Sequence, residues 1–198
     1  MKYLGRVLLF AATVFTATMA VGQAATVPNA AKLQPFVHLI QQQFGSTFIL
    51  AQKFPTPVIT TDLDSDGVDD LVMVADSKDP LPDSYQYKYR VEDPYNSFFG
   101  FGDVRETVGM GRLDPNQNHV LLVVFGEGAQ AWRAHTPKAK FVLINVPFDS
   151  IEVGRLLISR KKPPIFIIRA VEAQVMEASV FWDAKKKRWR WEPGNTID

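Results

Sequence analysis

One stretch of the chain changes abruptly from acidic to apolar, and it constrains the fold more than any other. It reads Asp62-Leu63-Asp64-Ser65-Asp66-Gly67-Val68-Asp69-Asp70 and continues into Leu71-Val72-Met73-Val74-Ala75. Aspartate and glycine favour turns, and glycine permits the left-handed backbone of a sharp turn. The apolar run that follows is typical of a buried strand. The sequence therefore predicts a tight acidic loop that leads directly into the core of a β-sheet.

The aspartates of this loop recur at a spacing that suits one hard cation. Calcium takes six to eight oxygen ligands at about 2.3–2.6 Å, including carboxylates and backbone carbonyls. Asp62, Asp64 and Asp66 stand at the first, third and fifth positions of the loop. The carbonyl of Val68 falls at the seventh position and Asp70 at the ninth. We predict that these five residues form a structural calcium site; the alternative is that the acids form a solvated turn without an ion.

The flanks of the loop favour strands over helices. Residues 58–61 and 71–74 are mostly β-branched or apolar, as is typical of strands. A helix–loop–helix calcium site needs a bidentate glutamate at its twelfth position, and here that position is Met73. Zinc and softer metals are disfavoured because neither a cysteine nor a close pair of histidines accompanies the carboxylates.

The segment 62–72 resembles the calcium loop of FG-GAP/VCBS repeats, the units that build integrin-like β-propeller blades. That resemblance implies that the alternating acids bind calcium and that the next strand enters a sheet. Residues 119–129 are loosely similar to the strand and glycine stretch that follows in those repeats. Residues 113–118 lack the glycine and the acids of a second loop. Since a propeller needs several blades, we predict a single calcium-bound β unit and not a complete β-propeller.

The amino terminus has the pattern of a secretion signal. Lys2 and Arg6 precede an apolar segment at 7–21, and small residues follow directly. The apolar segment is short for a bilayer span and contains threonines, which favours cleavage over anchoring. We predict a signal peptide at 1–25, export to the periplasm or the extracellular space, and no membrane span in the remaining chain.

The segment 26–198 has the length of one domain and the pattern of a β-rich fold. Asn29 is a candidate N-cap, and apolar residues near helical spacing over 33–44 predict one amino-terminal helix, which Gly45 ends. The alternating tyrosines at 85–89 suit an extended segment, residues 129–134 suit a strand and residues 148–154 suit a turn. The later chain is dominated by strand patterns and closes with a hairpin whose turn is 183–187. Cysteine is absent, so no disulfide supports the fold. We predict an α+β, mainly β fold with antiparallel sheets.

The composition narrows the classes of partner. Lysine and arginine number 22 against 21 aspartates and glutamates, which gives no overall attraction to nucleic acid. The short basic runs at 160–162 and 185–188 are typical of solvated turns, with an anionic surface as the less favoured reading. An unidentified protein or glycan is the partner we expect. The aromatic residues that could contact it are Tyr85, Tyr87, Tyr89, Phe98, Phe99 and Phe101.

Catalysis finds little support in the sequence. The three histidines are His38, His119 and His135, and no nucleophile elbow or phosphate-binding glycine motif accompanies them. We predict no catalytic and no organic cofactor residues, and a binding or interaction module is the favoured function. The alternative is a cell-envelope hydrolase, or an accessory protein to one, that uses calcium for stability. A pocket combining a histidine with an acid outside the loop would favour that alternative.

Overall fold

The computed structural model describes residues 30–101, 119–157, 159–160, 163–173 and 176–194. The predicted signal peptide lies outside these ranges and stays a prediction. Among the described residues, no helix combines the length and the apolar character needed to cross a bilayer.

Strands dominate the described chain, and the described α-helices all lie before residue 99. The helices are α1 Ala30–Phe44, α2 Ser84–Tyr87 and α3 Pro94–Phe98, and a 3₁₀ segment spans Gly128–Arg133. The strands are β1 Phe48–Leu50, β2 Val58–Thr61, β3 Asp70–Ser77, β4 Arg90–Glu92, β5 His119–Phe125, β6 Ala139–Leu143, β7 Ser150–Leu156, β8 Ile165–Glu172, β9 Met176–Asp183 and β10 Arg188–Pro193. This composition confirms the predicted α+β, mainly β class.

The first sheet is built around two strands that are apolar on both faces. Its order is β1-β3-β5-β6-β4, and β2 also pairs with β3. The β4–β6 pair is parallel and the others are antiparallel. Residues 71–75 of β3 and 120–125 of β5 are buried without interruption, because both faces of this sheet are covered.

The second sheet is an antiparallel meander in the order β10-β9-β8-β7. Its last two strands form the predicted hairpin, with Trp189 opposite Trp182 and Trp191 opposite Val180. Trp189 is fully buried and packs against Phe125 and Phe141 of the first sheet. The aromatic side chains of the hairpin therefore join the two sheets.

The molecule has three layers, with one apolar cluster on each face of the first sheet. The cluster toward the second sheet includes Val72, Val74, Ile168 and Val180. The cluster on the other face packs under α1 and contains Leu33, Ile40, Phe44, Leu71, Met73, Ala75, Leu122 and Val124. The described strands form neither a closed barrel nor the blades of a β-propeller.

Three local predictions are wrong. Residues 85–89 were expected to be extended, but 84–87 form α2. Residues 129–134 form a 3₁₀ segment and not a strand. Residues 148–154, with the pattern of a turn, contribute most of β7. The amino-terminal helix is confirmed: α1 begins at Ala30 and ends at Phe44, and it contains Pro35, which removes one helical hydrogen bond.

Candidate metal centre

The acidic loop is a tight connection between two paired strands. Thr61 at the end of β2 lies opposite Asp70 at the start of β3, so residues 62–69 must reverse the chain. Ser65 and Gly67 adopt positive φ angles of 63° and 85°, and glycine takes that conformation without a steric cost. The carboxylate of Asp62 accepts the backbone N–H of Asp66 at 3.1 Å and that of Gly67 at 2.9 Å. The loop therefore folds around its first aspartate.

The carboxylate of Asp70 is hydrogen-bonded both to the loop and to the chain that follows β5. Asp70 is 1% exposed, its Oδ2 accepts the N–H of Leu63 at 2.7 Å, and its Oδ1 accepts the N–H of Gly126 at 2.8 Å. Burial raises the pKa of Asp70 to about 7, the two N–H donors offset part of that rise, and the nearby charges of Asp64 and Asp62 add to it. This carboxylate joins both ends of the loop to the chain that follows β5.

Gly126 can make that contact because it has no side chain. A Cβ at this position would lie 2.5 Å from the carbonyl oxygen of Asp69 and 2.9 Å from the carbonyl carbon of Ala131. Both neighbours are backbone atoms, which cannot move away as the end of a side chain can. The N–H of Trp132 also donates to the Asp69 carbonyl at 3.2 Å. The loop is therefore packed backbone to backbone against the corner after β5.

Three carboxylates of this segment, including that of Asp70, lie close together. Asp62, Asp64 and Asp70 each offer an oxygen, and these oxygens all lie within 4.8 Å of one another. The side chain of Asp64 is only 6% exposed, and its Oδ1 has no hydrogen-bond partner. A buried polar atom without a partner costs roughly 1–3 kcal/mol, and more when it is charged. A cation held by the three carboxylates would remove that cost.

An ammonium group already neutralises part of this cluster. Lys138, in the link between β5 and β6, places its Nζ 2.6 Å from Oδ2 of Asp64 and 2.5 Å from Oδ2 of Asp66. The hydrogen bond from Lys138 is the main reason that the pKa of Asp66 is lowered. The same two carboxylates raise the pKa of Lys138. Lys138 is therefore a counter-ion of the loop from a distant part of the chain.

The structure brings together three of the five predicted ligands. Asp66 lies outside the converging trio, because its Oδ1 accepts the N–H of Val68 at 2.9 Å and its Oδ2 binds Lys138. The role of the Val68 carbonyl stays a prediction. Sequence reasoning missed Lys138 and Gly126, which are separated from their partners by 74 and 56 positions.

The tyrosines of the predicted partner-binding set do not share one face. Tyr85 is 94% exposed, whereas Tyr89 is 4% exposed and packs on the α1 side of the first sheet. The hydroxyl of Tyr89 donates to the carbonyl of Pro80 at 2.8 Å. Tyr87 is partly buried on that same side.

Two phenylalanines of that set, Phe98 and Phe99, lie on the opposite side of the first sheet. Phe98, Phe99 and Phe101 are 47%, 52% and 71% exposed. Phe98 and Phe99 contact the ring of Trp191, which belongs to the cluster between the two sheets. The predicted aromatic platform is therefore divided, and a partner at either part stays a prediction.

One histidine lies in a pocket together with an acid. His119 Nδ1 is 2.7 Å from Oδ1 of Asp76, and both residues line a cavity of about 720 Å³. His38 and His135 are exposed and line neither this cavity nor the metal cluster. The pairing of His119 with Asp76 was not predicted, because it depends on the register between β3 and β5.

The chain matches no protein-family model, no curated protein and no solved structure. The described residues and their geometry therefore carry the functional argument.

Proposed function

We propose that this chain is an exported calcium-binding protein in which the ion has a structural role within a binding or interaction module. Asp62, Asp64 and Asp70 are its side-chain ligands. The carbonyl of Val68 completes the set, and Asp66 joins it when Lys138 moves aside.

The observation that carries this proposal is the buried Oδ1 of Asp64, which has no hydrogen-bond partner and belongs to a residue of the converging trio. The other oxygen of this carboxylate, Oδ2, binds Lys138, but a buried carboxylate oxygen that has no partner of its own is still costly. Oxygen-only donors without histidine or cysteine suit a hard cation. Calcium tolerates irregular geometry and higher ligand number better than magnesium, which demands a near-ideal octahedron.

The proposed role of the ion follows from what the loop contacts. Asp70 joins the loop to Gly126, and Lys138 joins it to the β5–β6 link. An ion at the trio would neutralise the carboxylates that repel one another inside this junction. Binding would therefore stabilise the packing of β3 against β5 and the chain that follows it.

Export belongs to the same proposal and is supported by the sequence pattern of residues 1–25. Calcium is abundant outside the cytosol, where structural sites of modest affinity stay filled. The resemblance of 62–72 to FG-GAP/VCBS loops also supports a structural ion next to a strand.

The second candidate function is a cell-envelope hydrolase or a hydrolase accessory protein that uses calcium for stability. The His119–Asp76 pair, at the wall of a cavity outside the acidic loop, is the feature that favours it. A histidine oriented by a carboxylate is a common general base. No serine, threonine or cysteine is placed beside His119 among the residues that line the cavity.

Thermal unfolding of the chain with calcium and with a chelator tests the proposal. A ligand at 100 times its Kd adds about 2.7 kcal/mol to the free energy of unfolding, so we expect a clear rise in Tm. Asp64→Asn should abolish the rise, whereas Glu127→Gln, which removes an exposed carboxylate near the loop, should keep it. Identical melting curves for the wild type in calcium and in chelator would contradict the proposal.

A further inference from the structure

The cavity at the far end of β3 has the character of a small-molecule site. Asp76 lies six residues after Asp70 on this strand, about 20 Å from it at the usual rise of a strand. The volume of about 720 Å³ lies within the range of roughly 300–1,000 Å³ that is common for ligand pockets. The apolar half of the lining is Leu50, Ala51, Phe54, Pro55 and Phe148. The polar half is Gln52, Lys53, Asp76, His119 and Asp149.

The register between β3 and β5 builds the polar centre of this cavity. Asp76 and His119 are cross-strand partners, and their side chains are 49% and 34% exposed. An ionised carboxylate only accepts hydrogen bonds, so Nδ1 of His119 donates to Asp76. Nε2 is then the ring nitrogen that is left for a ligand.

Two aromatic rings hold the imidazole in place. Phe54 meets the His119 ring edge to face at 5.3 Å, and Phe148 lies at 6.2 Å with a tilt of 31°. Phe54 and Phe148 are only 7% and 9% exposed and contact each other at 5.5 Å. The direction of Nε2 is thus fixed before any ligand arrives, which lowers the entropic cost of binding.

The charges of the lining indicate which ligand fits. Asp76 and Asp149 are acidic and Lys53 is basic, so the formal charge is −1. The two carboxylates and Nε2 of the neutral imidazole accept hydrogen bonds, and the donors of the lining are the Lys53 ammonium and the Gln52 amide. An anion would meet two carboxylates, and a fully apolar ligand would leave these acceptors unpaired, at a cost.

We propose that this cavity binds a small saccharide, whose hydroxyl groups donate to His119 Nε2 and to the carboxylates. The apolar C–H face of the sugar ring packs on the wall formed by Phe54, Pro55 and Phe148. The site is independent of the acidic loop and stands whether or not that loop binds calcium.

The test is an NMR titration of the ¹⁵N-labelled chain that follows the imidazole resonances and the backbone amides of residues 51–54. The probes are maltose and N,N′-diacetylchitobiose, with spermidine and inorganic phosphate as the cationic and anionic comparisons. We expect at least one disaccharide to produce saturable shifts at both sets of signals. Loss of one hydrogen bond in His119→Gln should weaken that binding about fivefold to tenfold. His135→Gln, a matched change at an exposed histidine, should leave it unchanged.

Each other result overturns the proposal. Saturation by spermidine alone would make this a cation site, and saturation by phosphate alone would make it an anion site centred on Lys53. No saturable shift with either disaccharide also contradicts it. Because the amide shifts of the wild type report binding without any substitution, the test stands even where His119→Gln fails to fold.

Discussion

The two ends of β3 carry the same residue type in opposite settings. Asp70 and Asp76 both lie on the face of the strand that also presents Val72 and Val74, since alternate residues share a face. Asp70 is 1% exposed and accepts two backbone N–H groups, whereas the Asp76 side chain is 49% exposed and pairs with a histidine. One carboxylate therefore holds the chain together and the other faces a cavity. Burial and the available donors, more than residue type, decide the role of an aspartate here.

The largest contrast should come from removing each carboxylate in the presence of a chelator. Asp70→Ala leaves the N–H groups of Leu63 and Gly126 without their acceptor, which should lower the free energy of unfolding by about 2–5 kcal/mol. Asp76→Ala removes a half-exposed pair and should cost less than about 1 kcal/mol. Urea denaturation measures the free energy of unfolding of both variants. Equal losses in Asp70→Ala and Asp76→Ala would contradict the different roles given to the two carboxylates.

The pH dependence of stability should report the burial of Asp70. In chelator, burial raises the pKa of Asp70 to about 7 in the folded chain, from an ordinary value of 3.8. The folded state therefore binds the extra proton, and the free energy of unfolding falls as pH rises from 3.8 to about 7, by at most about 1.4 kcal/mol per pH unit. Above that window the contribution of Asp70 is fully lost. The measurement is urea denaturation across this range of pH.

Asp70→Asn isolates this effect, because burial also raises the pKa of Asp93, which adds a dependence of the same sign. The variant should lose part of the slope. A slope unchanged in Asp70→Asn would show that the buried carboxylate does not hold the proton.

Gly126→Ala tests the backbone contact between the loop and the chain after β5 without altering any charge. The added methyl group would lie 2.5 Å from the carbonyl oxygen of Asp69, so we expect a loss of about 1–3 kcal/mol, as for other overpacked sites, and weaker calcium binding. Gly154→Ala is the matched control, because its methyl group meets only side-chain atoms of Ile167 and Arg169. Unfolding in urea, with and without calcium, measures both. Equal losses of unfolding free energy in Gly126→Ala and Gly154→Ala would show that the backbone contact between Gly126 and Asp69 matters no more than an ordinary packing contact.

The smallest effect concerns the two lysines. At the proposed calcium site, Lys138 would compete with the ion for Asp64 and Asp66. Lys138→Met should therefore tighten calcium binding about threefold to tenfold, a modest gain because the ammonium is partly exposed. Lys53→Met, at the cavity end of β3, should leave the calcium affinity unchanged. Calorimetric titration of both variants gives the comparison. A weaker calcium affinity in Lys138→Met would mean that the lysine organises the site and does not compete for it.

Local sequence signals were sufficient for the most apolar strands, for the final hairpin and for the loop. The apolar runs in β3 and β5 and the hairpin at 183–187 were predicted, because each is set by neighbours in the sequence. Residues 85–89 were misassigned, since alternating tyrosines suit a strand but Tyr89 is buried through contacts with Phe44 and Phe48.

The site was predictable only where its residues are close together in the chain. The spacing of Asp62, Asp64 and Asp70 is visible in the sequence, and the structure brings these three together. The contributions of Lys138 and Gly126 depend on the order β3-β5-β6 in the first sheet. The pairing of His119 with Asp76 depends on the β3–β5 register. No local sequence pattern encodes the contacts of Lys138 and Gly126 or the pairing of His119 with Asp76.

We propose that the acidic loop binds a calcium ion through Asp64 and its neighbours. Isothermal titration of calcium into the chelator-stripped chain tests this binding directly. We predict saturable binding of one ion per chain, abolished in Asp64→Asn and retained in Glu127→Gln. The absence of saturable binding in the wild type, or an unchanged titration in Asp64→Asn, would contradict it.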